Sequence, residues 1–187
     1  MNNKKRQTFY RSILILILCG VGFMYSQSTT VFQQVEEAVA AQVTTGAQIG
    51  QEALSFELPT LTGKQVALAD YRGQPVVLNF FATWCHPCQE EMPIIVEMEK
   101  RLKEKNVAFL AVNMTSQETD KSQIKPFLQH FRAYFDPLLD EEGDVLKAYQ
   151  IIGIPTTIVI DEHGIITQRI NGGMTYEMME DLILLRE

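Results

Sequence analysis

Two cysteines, Cys85 and Cys88, are the residues of this chain best suited to covalent chemistry. They belong to the pentapeptide Trp-Cys-His-Pro-Cys at residues 84–88, so that two residues separate them. Cysteines at this spacing can form a disulfide within a single helical turn. A proline between them and an aromatic residue before them are typical of a reversible redox pair rather than of a structural disulfide.

A pair of this kind carries out thiol–disulfide exchange. One thiolate attacks a substrate disulfide to form a mixed disulfide, which the second thiol resolves, and the reverse reaction oxidises a substrate dithiol. A static structural disulfide is a weaker interpretation, because so short a loop constrains the unfolded chain little. A zinc site would need two more ligands, and the chain offers Cys19 and the scattered His130 and His163. The sequence therefore predicts neither a metal nor a cofactor.

The composition restricts the possible partners. At 187 residues the chain is long enough for one domain with a hydrophobic core, and its net charge is −7. Residues 1–25 contain four basic residues and no acidic one, which leaves 12 basic and 23 acidic residues in the remainder. A body this acidic argues against nucleic acid as a partner.

The N-terminal 30 residues have the pattern of an export or anchor signal. Residues 1–11 are basic and residues 12–30 begin with an apolar run, an order that predicts a cytoplasmic N-terminus and a domain outside the membrane. The 24 residues from Ser12 to Val35 carry no charge and could span a bilayer, although the strongly apolar part is nearer in length to a cleaved signal. We expect a single-pass membrane protein, with secretion after signal cleavage as the alternative.

Residues 31–49 are interpreted as a stalk and residues 50–187 as the folded domain. The domain is predicted to begin with a β-hairpin, whose strands lie near residues 56–58 and 66–68. Residues 75–81 are mostly apolar and β-branched, as in a strand buried on both faces, and a helix is predicted over 86–105. The cysteine pair therefore lies where a buried strand is followed by a helix N-terminus, which favours an anion such as a thiolate.

The later elements alternate in type. Pro126 warns of a kink or break in one predicted helix. Thr175 is predicted to cap the last helix, with Met178 and Met179 facing inward. The order of elements predicts an α/β fold with a mixed central sheet and helices on both faces. The predicted strands are 107–113, 156–160 and 165–170, and the predicted helices are 120–132, 144–149 and 175–185.

The segment from Phe80 to Cys88, followed farther along by Gly-Ile-Pro-Thr at 153–156, resembles the thioredoxin fold. The N-terminal signal, the hairpin with Leu-Thr-Gly-Lys at 61–64, and Glu-Glu-Met-Pro at 90–93 are similar to the TlpA/ResA-like branch of membrane-anchored extracytoplasmic thiol-disulfide oxidoreductases. The resemblance implies a thioredoxin-like domain with an N-terminal β-hairpin extension.

The resemblance also implies roles for individual residues. Cys85 would be the exposed nucleophile and Cys88 the buried resolving thiol, and the two would form the redox disulfide. The Ile154–Pro155 peptide would be cis and would face that disulfide, where its backbone can bind a substrate chain. We interpret Trp84 as an aromatic residue on the rim of this substrate site.

Asn79 departs from cytoplasmic thioredoxins, which have a buried acid at this place. Proton handling must then come from His86, Glu90 or Glu91. The two glutamates are either a solvated pair in the first helical turn or include a proton acceptor for Cys88. A protonated His86 would lower the pKa of Cys85 and make the disulfide more oxidising, unless it is a solvent-facing spacer.

Pro87, between the cysteines, is grouped with Asn79, His86 and the glutamates as a residue that tunes the redox pair. We predict an extracytoplasmic reductase of exported proteins with cysteine pairs. By resemblance, its substrates would include apocytochrome c, and its electrons would come from a CcdA-type membrane thiol carrier.

Two other activities stay open. Ile154 before the proline resembles reducing thioredoxins, whereas His86 favours oxidation, so a thiol oxidase or isomerase is an alternative. Residues 56–79 are also similar to peroxiredoxins, which suggests a thiol peroxidase, but the Pro-x-x-x-Thr-x-x-Cys loop of that family is missing. A non-enzymatic binding module would not need the intact cysteine pair.

Overall fold

The computed structural model describes residues 44–184, together with Leu16 and Gly20. The described fold lies in a compact unit that runs from Thr44 to Glu187. Most of the predicted membrane segment and the first part of the predicted stalk lie outside the described residues. Within the described part of the chain, no helix has the length and apolar character needed to cross a membrane.

Nine strands and four α-helices are assigned among residues 44–184. The strands are β1 Thr45–Gly46, β2 Glu52–Ala53, β3 Glu57–Pro59, β4 Gln65–Ala67, β5 Val76–Phe81, β6 Ala108–Asn113, β7 Leu138–Leu139, β8 Thr156–Ile160 and β9 Ile166–Asn171. The helices are α1 His86–Glu104, α2 Ile124–Phe131, α3 Asp144–Ala148 and α4 Tyr176–Leu184.

The central sheet has five strands in the order β7-β6-β5-β8-β9. Strand β5 pairs in parallel with β6 and antiparallel with β8, and β8 pairs antiparallel with β9. Strands β3 and β4 form the predicted antiparallel hairpin, and β1 and β2 form a short parallel pair. The sheet is therefore mixed, and the thioredoxin-like α/β prediction is confirmed.

Strand β5 is central because all six of its residues are buried. Side chains alternate along a strand, so Val77, Asn79 and Phe81 share one face and Leu78 and Phe80 the other. The first face packs against α1, α2 and α4, and the second packs against the hairpin and α3. Asn79 is the one polar member of β5, and it points to the face that holds α1.

Two details of the helices differ from the sequence interpretation. A 3₁₀ turn at Lys121–Gln123 precedes α2, and Pro126 is the third residue of α2, where no intrahelical N–H bond is needed. The helix is therefore not broken at this proline. The inward placement of Met178 is wrong, because 41% of this residue is exposed, whereas Met179 is buried. Thr175 caps α4 as expected, and its Oγ1 accepts the N–H of Met178 at 3.2 Å.

Candidate active site

The two cysteines lie at the junction between β5 and α1. Cys85 is the N-cap residue of α1, and its sulfur accepts the backbone N–H of Cys88 at 3.3 Å. Pro87 lies in the first turn of the helix, where the N–H that proline lacks would have no intrahelical partner. The free backbone N–H groups in the first turn of α1 and the positive end of the helix dipole stabilise negative charge on the sulfur of Cys85.

Cys85 and Cys88 are joined by a disulfide, with their Cα atoms 5.2 Å apart. Cys85 keeps 4% of its surface exposed and Cys88 none. Cys85 is therefore less exposed than the resemblance implies, although the asymmetry between the two thiols has the expected direction. A pocket of about 330 Å³ opens onto Cys85, and its walls include Trp84, Met114 and Ile152.

The Ile154–Pro155 peptide is cis, as the resemblance implies. The carbonyl oxygen of Ile154 lies 3.6 Å from the sulfur of Cys85. Trp84 is 52% exposed, and its indole N–H donates to the carbonyl of Gln117 at 3.0 Å. Trp84 thus occupies the rim of the pocket rather than the core, and the structure brings it together with Cys85 and Ile154.

Asn79 and Glu91 contact each other behind the disulfide. Glu91 lies on the inner face of α1 and is only 3% exposed. Its Oε1 accepts the amide N–H of Asn79 at 3.1 Å, and its Oε2 accepts the backbone N–H of Met174 at 2.7 Å. Asn79 also donates to Oγ1 of Thr157, its partner across the strand pair, at 3.1 Å.

The interpretation of the glutamates as a solvated pair is wrong for Glu91. Burial raises the pKa of Glu91, and the hydrogen bonds from Met174 and Asn79 only partly oppose that rise. Glu90 is exposed, as a solvated residue should be, and lies 3.5 Å from Nδ1 of the exposed His86. The two neighbouring acids have different environments because successive residues of a helix point about 100° apart, which leaves Glu90 in solvent and Glu91 in the core.

The Oδ1 atom of Asn79 is buried and accepts no hydrogen bond. A buried acceptor without a donor costs about 1–3 kcal/mol. If the side-chain amide of Asn79 turned over, a protonated Glu91 would donate to Oδ1, and Nδ2 would then occupy the position that lacks a partner. The pair Asn79–Glu91 thus has a second hydrogen-bonding arrangement available when the carboxyl group is protonated.

The sequence analysis missed a second acid at the site, Glu118. Its carboxylate accepts the backbone N–H and the hydroxyl of Thr83 at 2.7 and 2.5 Å, and the side-chain N–H of Asn113 at 2.8 Å. Glu118 thereby fixes the loop before Cys85 to the end of β6. No motif marks Glu118, because it comes from a polar turn distant in sequence from the cysteines.

Within residues 44–184 the structure shows no cluster of His, Cys, Asp or Glu that could hold a metal ion. A disulfide at the N-terminus of a helix, just beyond the end of the central strand of a mixed sheet, lies beside a cis-proline loop. This arrangement defines a thioredoxin-fold thiol-disulfide oxidoreductase.

Comparison with known proteins identifies the family within this class. The family model described as AhpC/TSA family matches residues 49–169. Thiol-disulfide oxidoreductase ResA of Bacillus thuringiensis subsp. konkukian is 36% identical over 181 residues, which is 96% of each chain. Thioredoxin-like protein YneN of Bacillus subtilis is 40% identical over 135 residues, 72% of this chain and 78% of YneN. The crystal structure of StoA from Bacillus subtilis matches with a TM-score of 0.62 and 28% identity, over 72% of this chain and 97% of StoA.

The chain belongs to the AhpC/TSA family and, within it, to the ResA-like thiol-disulfide oxidoreductases. The activity is therefore thiol–disulfide exchange, and the Cys85–Cys88 pair has the arrangement that this exchange requires.

The buried Glu91 makes a prediction about pH. Because its pKa is higher in the folded than in the unfolded chain, the folded protein loses stability as the pH rises through the Glu91 pKa. In the oxidised protein, Glu91→Gln should therefore gain stability over wild type with rising pH, by at most about 1.4 kcal/mol per pH unit. Urea denaturation between pH 4 and pH 8 measures this difference. Glu90→Gln is the matched control, and an equal pH response of the two variants would contradict the prediction.

The Glu118 contacts make a prediction about activity. Glu118→Ala removes the acceptor of Thr83 and loosens the loop that carries Trp84, so kcat/KM for insulin disulfides should fall about tenfold, or about 1.4 kcal/mol. The control is Glu180→Ala, which removes a carboxylate that pairs with Arg101 and connects α1 to α4. A similar loss of activity in both variants would show that Glu118 supports stability alone.

Proposed function

We propose that this protein reduces disulfides of exported proteins outside the cytoplasm, with Cys85 as the nucleophile and Cys88 as the resolving thiol. The observation that supports these roles is the unequal access to the two sulfurs. Cys85 caps α1 beside an open pocket, whereas Cys88 is fully buried one helical turn further on. A substrate sulfur can approach only the first of them.

The reaction begins from the reduced enzyme. The Cys85 thiolate attacks one sulfur of the substrate disulfide, and the other substrate sulfur leaves as a thiolate. Cys88 then loses its proton and attacks Cys85, which releases the second substrate thiol. Two electrons pass to the substrate, and the enzyme is left with the disulfide seen here. Reduction by an external dithiol completes the cycle.

Glu91 is proposed as the acceptor of the Cys88 proton. It follows Cys88 by three residues in α1, so their side chains are neighbours on one face of the helix. Its raised pKa brings this carboxyl group nearer to the pKa of a thiol, which makes proton transfer between them easier. Asn79 supports this role, because its amide holds one oxygen of the carboxylate in place.

His86, Pro87 and Glu90 are proposed to tune the reactivity of Cys85. His86 lines the pocket beside Cys85, and its ring lies 3.5 Å from the Glu90 carboxylate. A positive charge on this imidazole would stabilise the nearby thiolate. Ile154 and Pro155, together with Trp84, are proposed to bind the substrate polypeptide.

The cellular setting is also a proposal. Residues 1–11 would lie in the cytoplasm, and residues 12–30 would anchor the chain in the membrane or be cleaved as a signal. Of the predicted stalk at 31–49, residues 31–43 would connect this segment to the domain, because β1 and the buried Ala47 already belong to the folded unit. A CcdA-type membrane thiol carrier would supply electrons, and apocytochrome c is one candidate substrate. Support comes from the basic and apolar order of the N-terminus and from the full-length match to ResA.

Thiol peroxidase activity is a second candidate, favoured by the match to the AhpC/TSA family. Against it, Thr83 lies two residues before Cys85 rather than three, and no proline precedes it at the peroxiredoxin spacing. Consumption of hydrogen peroxide that depends on Cys85 would support this candidate.

A trapping experiment tests the proposed direction of the reaction. Cys88→Ala cannot resolve the mixed disulfide, so the reduced variant should accumulate covalent complexes with extracytoplasmic proteins that contain disulfides. Non-reducing electrophoresis and mass spectrometry of the complexes identify these substrates. Cys85→Ala with Cys88 intact is the control and should trap almost nothing. Equal trapping by both variants, or complexes formed only by the oxidised wild-type enzyme, would count against the reductase proposal.

A substitution at His86 tests the tuning role. His86→Glu replaces an imidazole by a carboxylate at the N-terminus of α1, so the pKa of Cys85 should rise by roughly one unit. The rate of alkylation of reduced Cys85 as a function of pH measures this pKa. His163→Glu, at an exposed turn, is the control. An unchanged pKa in His86→Glu would make His86 a solvent-facing spacer.

A further inference from the structure

A second cavity adjoins the redox pocket. Its volume is about 600 Å³, and it shares residues 152–154 with the pocket at Cys85. Ile152, in the shared loop, is fully exposed at 100% of its surface. The two cavities therefore lie on either side of one apolar loop, and a chain bound at Cys85 can continue into the second cavity.

The far wall of the second cavity is formed by strand β9. Asn171 pairs with Thr156 and Arg169 pairs with Ile158, so both side chains project from the same face of β9. Successive side chains on one face of a strand lie roughly 6.6 Å apart. Arg169 therefore lies beyond Asn171 in the direction that leads away from the disulfide, and both residues line the cavity.

Arg169 is a cation whose hydrogen-bond partners are all neutral. Its guanidinium donates to the carbonyls of Ala47, Tyr149 and Gln150 at 3.1, 3.0 and 2.9 Å. Within residues 44–184, no carboxylate lies within ion-pair distance of it. A guanidinium has five N–H donors, so two remain after these three bonds. Carbonyl groups orient the cation but do not neutralise its charge.

Partial burial makes this cation a favourable place for an anion. Burial lowers the pKa of Arg169, which reflects the loss of water around the guanidinium. An arginine pairs with a carboxylate through two parallel hydrogen bonds, a geometry that two free donors can satisfy. The chain as a whole is acidic, with 23 Asp and Glu against 16 Lys and Arg, so an acidic ligand would otherwise be repelled.

We propose that the second cavity binds the substrate polypeptide beyond its cysteine, and that Arg169 pairs with an aspartate or glutamate side chain of that polypeptide. This inference rests on the proposed function, since it concerns the substrate of the same site. Arg169 lies opposite Ile158, which lies in β8 four residues after Ile154. A substrate chain that runs beside this loop would therefore place its carboxylate about three to five residues from the reacting cysteine. Arg169 is a specificity-determining residue and takes no part in the exchange itself.

The competing explanation is that Arg169 is purely structural, because it connects the segment before β2 to the turn after α3. The two explanations differ in one respect. A structural role affects every substrate equally, whereas the proposed role affects only substrates that carry the carboxylate.

Matched peptides separate these explanations. Each peptide contains an internal disulfide, and a set of them carries one glutamate at three, four or five residues from a cysteine on either side. The control peptides have glutamine in the same place. For wild type, kcat/KM should be about tenfold higher for the best glutamate peptide than for its glutamine match. In Arg169→Gln that ratio should fall to about one, with the rate on the glutamine peptide unchanged.

Arg72→Gln provides the control for net charge. Arg72 pairs with Glu52 and lies outside both cavities, so its loss should leave the ratio near tenfold. A ratio of one in wild type, or a ratio that persists in Arg169→Gln, would overturn the inference while the reductase activity stands. Equal losses on both peptides in Arg169→Gln would assign a structural role. Failure of wild type to reduce any peptide would instead overturn the proposed function, and the inference with it.

Discussion

The junction between β5 and α1 is the constraint on which the rest of the site depends. Strand β5 is buried on both faces and lies between β6 and β8, and α1 begins just beyond its carboxyl end. Cys85 caps that helix, and Cys88 lies in its first turn. The core on one side of β5 and the hairpin on the other hold the junction fixed. The loop that carries the reactive sulfur is therefore short, and its backbone N–H groups are oriented before any substrate arrives.

Polar residues on two sides of this junction have different environments. Asn79 and Glu91 lie on the core side of the disulfide, where water is excluded and a carboxyl group holds its proton more tightly. Glu118 lies on the loop side and holds Thr83. The buried pair is proposed to act in proton transfer, whereas the loop acid holds the loop before Cys85 in position.

The sequence predicted the elements that obey a clear periodicity. Strands β5, β6 and β8, the hairpin and α1 fall close to the predicted bounds, because apolar runs and helical spacing mark them. Short strands such as β1, β2 and β7 were missed, since two residues show no period. The burial of Met178 was predicted wrongly, because apolar residues lie on more than one side of the last helix and only the packing decides which side is covered.

The site residues that belong to a sequence motif could be predicted, and the others could not. The cysteine pair comes from a local pattern, whereas the cis proline was implied by the resemblance to the thioredoxin fold. The burial of Glu91 depends on how α1 rotates against β5, which adjacent glutamates cannot reveal. Glu118 and Arg169 act across long sequence separations, so no local signal marks them.

The position of Trp84 has an optical consequence. It is the only tryptophan of the chain, it precedes Cys85 directly, and its ring is half exposed at the mouth of the redox pocket. Disulfides quench the fluorescence of nearby indoles, so emission from this one side chain changes when the bond to Cys88 opens or when a substrate covers the pocket. The enzyme thus contains an intrinsic fluorophore at its reactive centre, and single turnovers can be followed without any label.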